Sequence, residues 1–398
     1  MKLELNSRLL PFLLAALSAI GPFSVDTYLP AFPSISLALN ATPMQVQQTM
    51  SAYFFTFCAM MLWHGAISDT LGRRRVILAG LGIYAAASLF CVFAYRIEML
   101  WIGRALQGLA GGVGGVVSRA IVRDRFQGTD AIKQMALITV IFSAAPAVAP
   151  VIGGWLLIWF EWHAIFIFLT AYALVLGLTC FFLLPETLPK EQRHSLHPLA
   201  LWRGYRLVLG DGRFFLLSAA SAVLMSGMMI YVMSSPAFII RHLGLTPQSF
   251  PWLFLPTIAG MVGGNVLSSK LAGKHSPRTP IVLGAAIMLV AALLNVGMSL
   301  LMAPRLPWAV LPMGLYSAGL FTTFATLQLV ALDLFPERRG MAASCQAFWQ
   351  TLGMAITAGV LAPALWDSTL NLALGMAGCL VTGLGLYFWG LLSCRQPR

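Results

Sequence analysis

Long apolar runs are the feature that most constrains this chain. Each run is close to the ~20 residues that a helix needs to cross the hydrocarbon core of a bilayer. We place twelve such runs at 9–32, 46–68, 76–95, 99–122, 134–157, 163–184, 214–239, 249–270, 279–301, 308–331, 341–364 and 370–393. A transmembrane barrel would instead show short segments of alternating polarity. The sequence therefore predicts an all-α polytopic membrane protein with twelve transmembrane helices.

The placement of charge supports this topology. Of the 398 residues 59% are apolar and only 10% are charged, whereas a soluble domain is about 25% charged. The net charge of +12 does not indicate nucleic-acid binding, because almost all of the Lys and Arg residues lie in alternate links and at the two ends. The exceptions are Arg96, Arg104, Arg241 and Arg305. This asymmetry follows the positive-inside rule and predicts two cytoplasmic termini.

The longest polar link, 185–213, separates six spans from six. We expect an N-terminal six-helix half at 1–184, a cytoplasmic linker at 185–213 and a C-terminal six-helix half at 214–398. The middle of the linker contains Trp202, Tyr205 and several arginines. Two interpretations fit it: a short amphipathic helix along the membrane surface, or a solvated tether.

The link between spans 2 and 3 reads Gly65-Ala-Ile-Ser-Asp69-Thr-Leu-Gly72-Arg73-Arg74-Arg75. One interpretation is an anchor that only fixes orientation. The other is a tight cytoplasmic hinge, because an anchor does not need both glycines and the acid at these spacings. We predict a conformational latch made of Gly65, Asp69, Gly72, Arg73 and Arg74. In that latch Asp69 faces the positive N-terminus of the helix that begins at 336–340.

A degenerate copy of this link follows span 8 as Lys270-Leu-Ala-Gly273-Lys274. It places a lysine where the first copy has Asp69. The repeat predicts a duplicated fold of six plus six spans. Substrate sites in folds of this kind lie near the bilayer midplane between the repeats.

Charged residues inside spans are functional candidates because lipid exposure of charge is costly. Asp26 follows Gly21-Pro22 in span 1, and in a semi-dry cavity its carboxyl group can load and release a proton. The alternative for Asp26 is a solvated cap at the periplasmic rim. Arg104 is the cation of span 4, and Gln107 shares its helical face. We expect Arg104 to pair with Asp26 or, alternatively, to brace helix carbonyls.

Polar and aromatic side chains in the spans are candidates for a substrate cavity. They are Tyr28, Tyr53, Gln107, Tyr231, Gln346 and Gln350. Each one alone is more often a contact between helices than a ligand contact. In span 5, Pro146, Pro150, Gly153 and Gly154 predict a bent helix with a flat face. That face is either a moving interface between the halves or a simple kink.

These motifs, taken in order, resemble a known family. Gly65-x-x-x-Asp69-x-x-Gly72-Arg73-Arg74 resembles the signature loop of the major facilitator superfamily. Leu100-x-x-x-Arg104-x-x-Gln107-Gly108 resembles the span 4 motif of its proton-coupled members, and Ala149-Pro150-x-x-Gly153-Gly154 resembles the span 5 antiporter motif. Asp26-x-Tyr28-Leu29-Pro30 and Ser234-x-Pro236 are typical of the Bcr/CflA group of drug–proton antiporters.

The resemblance implies the major facilitator fold and an alternating-access transporter of the bacterial inner membrane. Such a protein exports small drug-like or metabolite molecules in exchange for protons, with Asp26 and Arg104 as the proton-coupling pair. Some relatives have a second acid about two turns before the span 1 aspartate, where this chain has Ser18. One acid and one base in the cavity favour neutral or zwitterionic substrates.

The same sequence features also fit other functions. Within transport, the alternative is export or import of a metabolite, such as a nucleoside or an amino-acid derivative. A sensor that keeps the transporter fold is a further class. The sequence lacks HExxH, GxSxG and Walker A motifs, so we predict no enzyme, no metal site and no cofactor. The expected partners are a small-molecule substrate, protons and membrane lipid, and twelve spans suffice for a monomer.

Overall fold

The computed structural model describes residues 9–193, 198–272, 274, 276 and 278–392. All regular secondary structure in these ranges is helical. The chain divides into two compact units, Met1–Pro198 and Leu199–Arg398, called here the N-terminal unit and the C-terminal unit. The boundary between them falls inside the segment predicted as a linker.

The N-terminal unit is a succession of α-helices joined by short links. They are α1 (Leu10–Asp26), α2 (Phe32–Ala38), α3 (Pro43–Met61), α4 (His64–Leu71), α5 (Arg73–Val92), α6 (Ile97–Gly111), α7 (Val113–Arg125), α8 (Gly128–Trp159) and α9 (His163–Leu183). Short 3-10 helices lie at Leu29–Ala31 and Lys190–Gln192.

The C-terminal unit continues in the same way from the boundary onward. Its helices are α10 (Pro198–Leu209), α11 (Gly212–Met233), α12 (Pro251–Leu271), α13 (Arg278–Leu301), α14 (Leu311–Leu332), α15 (Arg339–Ile356), α16 (Ala362–Leu365) and α17 (Thr369–Leu392). Two π-helices lie at Ala237–His242 and Thr357–Leu361, and 3-10 helices lie at Pro247–Ser249 and Pro336–Arg338.

Eleven helical stretches among the described residues are long and apolar enough to cross a membrane. The pair α3 and α4, bent by 52°, brings the number to the predicted twelve when it is counted as one span. The first span differs from its prediction, because it continues past residue 32 to Ala38. Its helix is interrupted after Asp26, and Pro30 and Pro33 restart helical turns at positions that need no backbone N–H donor.

The predicted hinge between spans 2 and 3 is wrong in one respect. Residues 64–71 are not a loop but the helix α4, and only Gly72 separates it from α5. Gly72 has φ 98°, a left-handed conformation that favours glycine. The chain can therefore turn from one helix to the next within a single residue. Gly65 needs no such explanation, since a Cβ added there would contact nothing within 4 Å.

Helices approach closely where glycine removes the side chain. In the N-terminal unit, α1 packs on α7 and α8, and a Cβ on Gly114 would clash with the Leu17 carbonyl oxygen. In the C-terminal unit, α12 packs on α14, and a Cβ on Gly260 would clash with the Gly314 carbonyl oxygen in the same way. Small residues at such crossings are how membrane helices gain packing contacts without a hydrophobic driving force.

The middle of the predicted linker is helical, as one of the two interpretations requires. One face of α10 is buried through Tyr205 and Val208, and Gly204 lies against Met341 of α15. The opposite face exposes Leu199 and Trp202 together with arginines. The placement of this helix along the membrane surface stays a prediction.

Candidate functional site

Arg104 lies at the centre of a buried polar cluster in the N-terminal unit. Its side chain is fully buried, and its Nη1 donates to Ser24 Oγ at 3.1 Å and to Gln107 Oε1 at 2.7 Å. The guanidinium carbon lies 4.5 Å from the ring centroid of Tyr53 and 4.8 Å from that of Tyr28. Cation–π contacts of this kind strengthen when the cation is removed from water.

The predicted ion pair between Arg104 and Asp26 is absent from the structure. No salt bridge among the described residues includes either side chain. Asp26 is the last residue of α1 and is 6% exposed. Two aromatic rings, an amide and a hydroxyl surround Arg104. Its Nε–H is buried without a partner. Arg104 is thus a buried cation that neutral groups stabilise.

The cluster continues from Arg104 through hydrogen bonds to α5 and α3. Gln107 Nε2 donates to Ser88 Oγ at 2.7 Å, and the Tyr28 hydroxyl shares a 2.9 Å hydrogen bond with Thr49 Oγ1. Sequence reasoning found Tyr28 and Gln107 but missed Ser24, Thr49 and Ser88. A small hydroxyl side chain in an apolar run carries no individual signal, because such residues commonly bond to their own helix.

The span 5 motif lies beside the end of α1. Its helix, α8, is continuous from Gly128 to Trp159. A Cβ on Gly153 would clash with the carbonyl oxygen of Thr27, the residue that follows Asp26. Pro150, Gly153 and Gly154 are buried and Pro146 is half-buried. The small face of this motif therefore sets the position of the backbone next to Asp26 within one unit.

Three of the predicted polar contacts, Tyr231, Gln346 and Gln350, lie in the C-terminal unit. The hydroxyl of Tyr231 accepts a 2.7 Å hydrogen bond from Asn295 Nδ2, a residue not among the predicted substrate contacts. Gln346 is 3% exposed. The Nε2 atoms of Gln346 and Gln350 are buried without a partner. Both amides on α15 therefore have a donor group that no acceptor in the described residues satisfies.

Two of the predicted latch residues, Asp69 and Arg73, belong to an ion-pair network. Arg73 Nη1 lies 2.5 Å from Asp69 Oδ1, and Arg73 Nε lies 3.1 Å from Asp124 Oδ2. The backbone N–H of Arg73 donates to Glu186 Oε1 at 2.8 Å. Arg74 donates to the Phe181 carbonyl oxygen. Sequence reasoning missed Asp124 and Glu186. Glu186 could have been found from its place in the sequence, because it is the second residue of the polar link that follows span 6.

Comparison with known proteins decides the family. The family profile described as Major Facilitator Superfamily matches residues 14–358. The chain belongs to the major facilitator superfamily. This transporter is 28% identical to a bicyclomycin resistance protein homolog of Haemophilus influenzae, over 94% of each chain. It is also 28% identical to the multidrug resistance protein MdtL of Klebsiella pneumoniae, over 96% of this chain and 95% of the relative.

Solved structures agree on the fold. A bacterial homolog of the human lysosomal transporter Spinster, inward-facing and unoccupied, superimposes with a TM-score of 0.74 at 16% identity. The match covers 98% of this chain and 97% of that structure. The predicted helical fold and the resemblance to the superfamily are therefore confirmed. Membership of a transporter family also confirms that this multi-pass membrane protein is not an enzyme.

Proposed function

We propose that this transporter exports small drug-like molecules in exchange for protons by alternating access. Asp26 carries the proposal: it is a nearly buried carboxyl group at a break in the first span, and no cation of the described residues forms a salt bridge with it. The names of the relatives support the substrate class, since they refer to bicyclomycin resistance and multidrug resistance.

Asp26 is the proton carrier in this proposal. An unpaired carboxylate is expensive to keep in a desolvated site, and protonation removes that cost. The interruption of the helix after Asp26 lets the carboxyl group change its access to water without unfolding a helix. Proton binding from the outside then accompanies release of substrate, and the proton leaves toward the cytoplasm in the other state.

Arg104 is a fixed positive charge that shapes the site. The rings of Tyr28 and Tyr53 hold its guanidinium group in place, so substrate binding does not require breaking a strong ion pair. A cation next to one titratable acid favours neutral or zwitterionic substrates with aromatic or carbonyl groups. Tyr28, Tyr53 and Gln107 are the proposed substrate contacts of the N-terminal unit. The contacts expected at Tyr231, Gln346 and Gln350 in the C-terminal unit stay predictions.

The network around Arg73 is the proposed latch of one conformational state. Two carboxylates hold its guanidinium group, so a change of state has to rearrange charge-assisted bonds. These bonds stabilise one of two conformational states. Binding of the substrate or of a proton can shift the equilibrium between the two states. We also infer an inner-membrane location, cytoplasmic termini and a monomer as the working unit.

Proteoliposomes with an imposed pH gradient test this function. The purified full-length protein is reconstituted with a pH dye inside, and a panel of phenicols, sulfonamides, cationic dyes and nucleosides is added. We expect at least one compound to dissipate the gradient with wild type and not with Asp26→Asn. The matched control is Asp130→Asn, which changes an acid with a 67% exposed side chain.

The outcomes separate the parts of the proposal. Equal proton flux in wild type and Asp26→Asn would remove Asp26 from the role of carrier. Binding of a compound without any proton movement would replace antiport with uniport or sensing. Loss of flux in Asp130→Asn as well would show that the assay responds to charge at the surface and not to the buried acid.

A further inference from the structure

A basic cavity lies at the ends of α5 and α9, away from Arg104. It has a volume of about 400 Å³ and is lined by Arg74, Arg75, Glu186, Leu188, Pro189, Lys190 and Arg193. The lining contains four cations and a single acid. Cations held this close repel one another unless an anion lies between them. The cavity therefore favours an anionic ligand.

The single acid of the cavity is already engaged by the protein. Glu186 Oε1 accepts hydrogen bonds from the backbone N–H groups of Arg73, Thr187 and Leu188, at 2.8, 3.1 and 3.2 Å. Its Oε2 lies 3.5 Å from Arg193 Nη2. The carboxylate thus caps the start of α5 and neutralises at most one arginine. The remaining cations have no acid facing them in the described residues that line the cavity.

Two arginines of the cavity have buried donors without partners. The Nε–H groups of Arg74 and Arg193 are both buried and unpaired. The other contacts of these side chains hold them in place: Arg193 Nη2 donates to the Leu188 carbonyl oxygen at 3.3 Å, and Arg74 lies 5.5 Å over the Phe181 ring. A buried N–H without an acceptor is unfavourable, because it has lost its hydrogen bonds to water. A ligand oxygen reaches these two N–H groups only if the side chains shift, whereas Arg75 and Lys190 of the same lining are exposed.

A phosphate group has the chemistry that these donors require. It offers several charged acceptor oxygens, and arginine binds it with two parallel hydrogen bonds. The N-terminus of α5 adds nothing to this attraction, because Glu186 already caps it. Beside the cavity, Phe181 and Phe182 are 55% and 66% exposed. Exposed aromatic side chains at a span end are suited to contact acyl chains.

We propose that this cavity binds the phosphate group of an anionic phospholipid headgroup. The acyl chains then lie along the exposed end of α9. A soluble phosphate shares the recognised chemistry and is the competing source of the ligand. None of its lining residues belongs to the cluster around Arg104, but Arg74 and Glu186 also take part in the network around Arg73.

Native mass spectrometry of the purified full-length protein tests the site. Phosphatidylglycerol and phosphatidylcholine with identical acyl chains are titrated, and inorganic phosphate is added as a competitor. We expect phosphatidylglycerol to bind the wild-type protein at least about tenfold more tightly than phosphatidylcholine does. Each Lys or Arg near an anionic surface is equivalent to about a fivefold change in affinity, so Arg75→Gln/Lys190→Gln should weaken phosphatidylglycerol binding about 20- to 30-fold.

The double variant has a matched control in the other unit. Lys270→Gln/Lys274→Gln also removes two exposed cations and should leave the affinity within twofold of wild type. If millimolar inorganic phosphate displaces the lipid, the natural ligand of the cavity is a soluble phosphate. If the lipid resists displacement, the ligand is the phospholipid headgroup. Equal binding of the two lipids to wild type would overturn the proposal, and so would unchanged binding in Arg75→Gln/Lys190→Gln or an equal loss in the control.

Discussion

The two units differ in what they bury. In the N-terminal unit Asp26, Arg73 and Arg104 are 6%, 6% and 0% exposed. In the described part of the C-terminal unit, every buried polar side chain is uncharged, as Tyr231 and Asn295 illustrate. Among the described residues, the buried charged side chains therefore all lie in the N-terminal unit. The difference teaches that the N-terminal unit desolvates charged side chains, whereas the described part of the C-terminal unit buries only neutral polar ones.

The links after the second and eighth spans show the same contrast. Arg73 of the first copy is held by Asp69 and Asp124. In the second copy Lys270 and Lys274 are exposed, and no salt bridge among the described residues includes them. Gly273 of that copy lies outside the described residues. Repetition of the sequence motif therefore does not mean repetition of the ion pairs.

The largest effect is expected at Arg104. Arg104→Gln should lower the initial rate of transport about 100-fold, because a buried charge and its hydrogen bonds are lost. Arg104→Lys should not restore the rate, since lysine lacks the planar fork that reaches Ser24 and Gln107 while stacking on two rings. Rates in proteoliposomes measure this. A fully active Arg104→Lys would show that only the charge matters.

The next effect is expected at the contact between α1 and α8. Gly153→Ala should reduce the free energy of unfolding by about 1–3 kcal/mol, because the added Cβ collides with a backbone oxygen that cannot move alone. The melting temperature in detergent measures the change. Gly263→Ala is the matched control in the other unit, where a Cβ would contact nothing within 4 Å. Equal melting temperatures for the two variants would contradict the packing described at Gly153.

A smaller effect is expected in the latch. Asp124→Asn removes the carboxylate that accepts from Arg73 Nε and from Thr187 Oγ1 at 3.1 Å each. We expect about a tenfold lower transport rate, which corresponds to the loss of one charged hydrogen bond. Lys270→Gln in the second copy should change the rate less than twofold. A larger loss in Lys270→Gln than in Asp124→Asn would reverse the comparison between the two links.

The smallest effect is expected in the neutral cluster. Tyr231→Phe removes the hydroxyl that accepts from Asn295 Nδ2 at 2.7 Å and should weaken substrate binding about fivefold, or about 1 kcal/mol. Because no charge is involved, the number of protons exchanged per substrate should stay the same. Parallel measurement of proton and substrate flux checks both expectations. A changed proton ratio in Tyr231→Phe would place part of the coupling in the C-terminal unit.

Local properties of the sequence determined the fold and several site residues. Apolar runs predicted the spans, because the thickness of the hydrocarbon core sets how many consecutive apolar residues a spanning helix needs. Helical spacing placed Gln107 on the same face as Arg104, and the structure bonds these two side chains at 2.7 Å. Motif spacing also identified Asp69 and Arg73, which the structure pairs.

Only the tertiary structure decided the partners of the charges. The acid expected for Arg104 was Asp26, yet its partners are Ser24, 80 residues earlier, and the rings of Tyr28 and Tyr53. The backbone of Arg73 bonds to Glu186, 113 residues away in the chain. Such pairs depend on which helices pack together and at what rotation. Helical periodicity gives the face of each residue, but the neighbour of that face is set by close packing between distant segments.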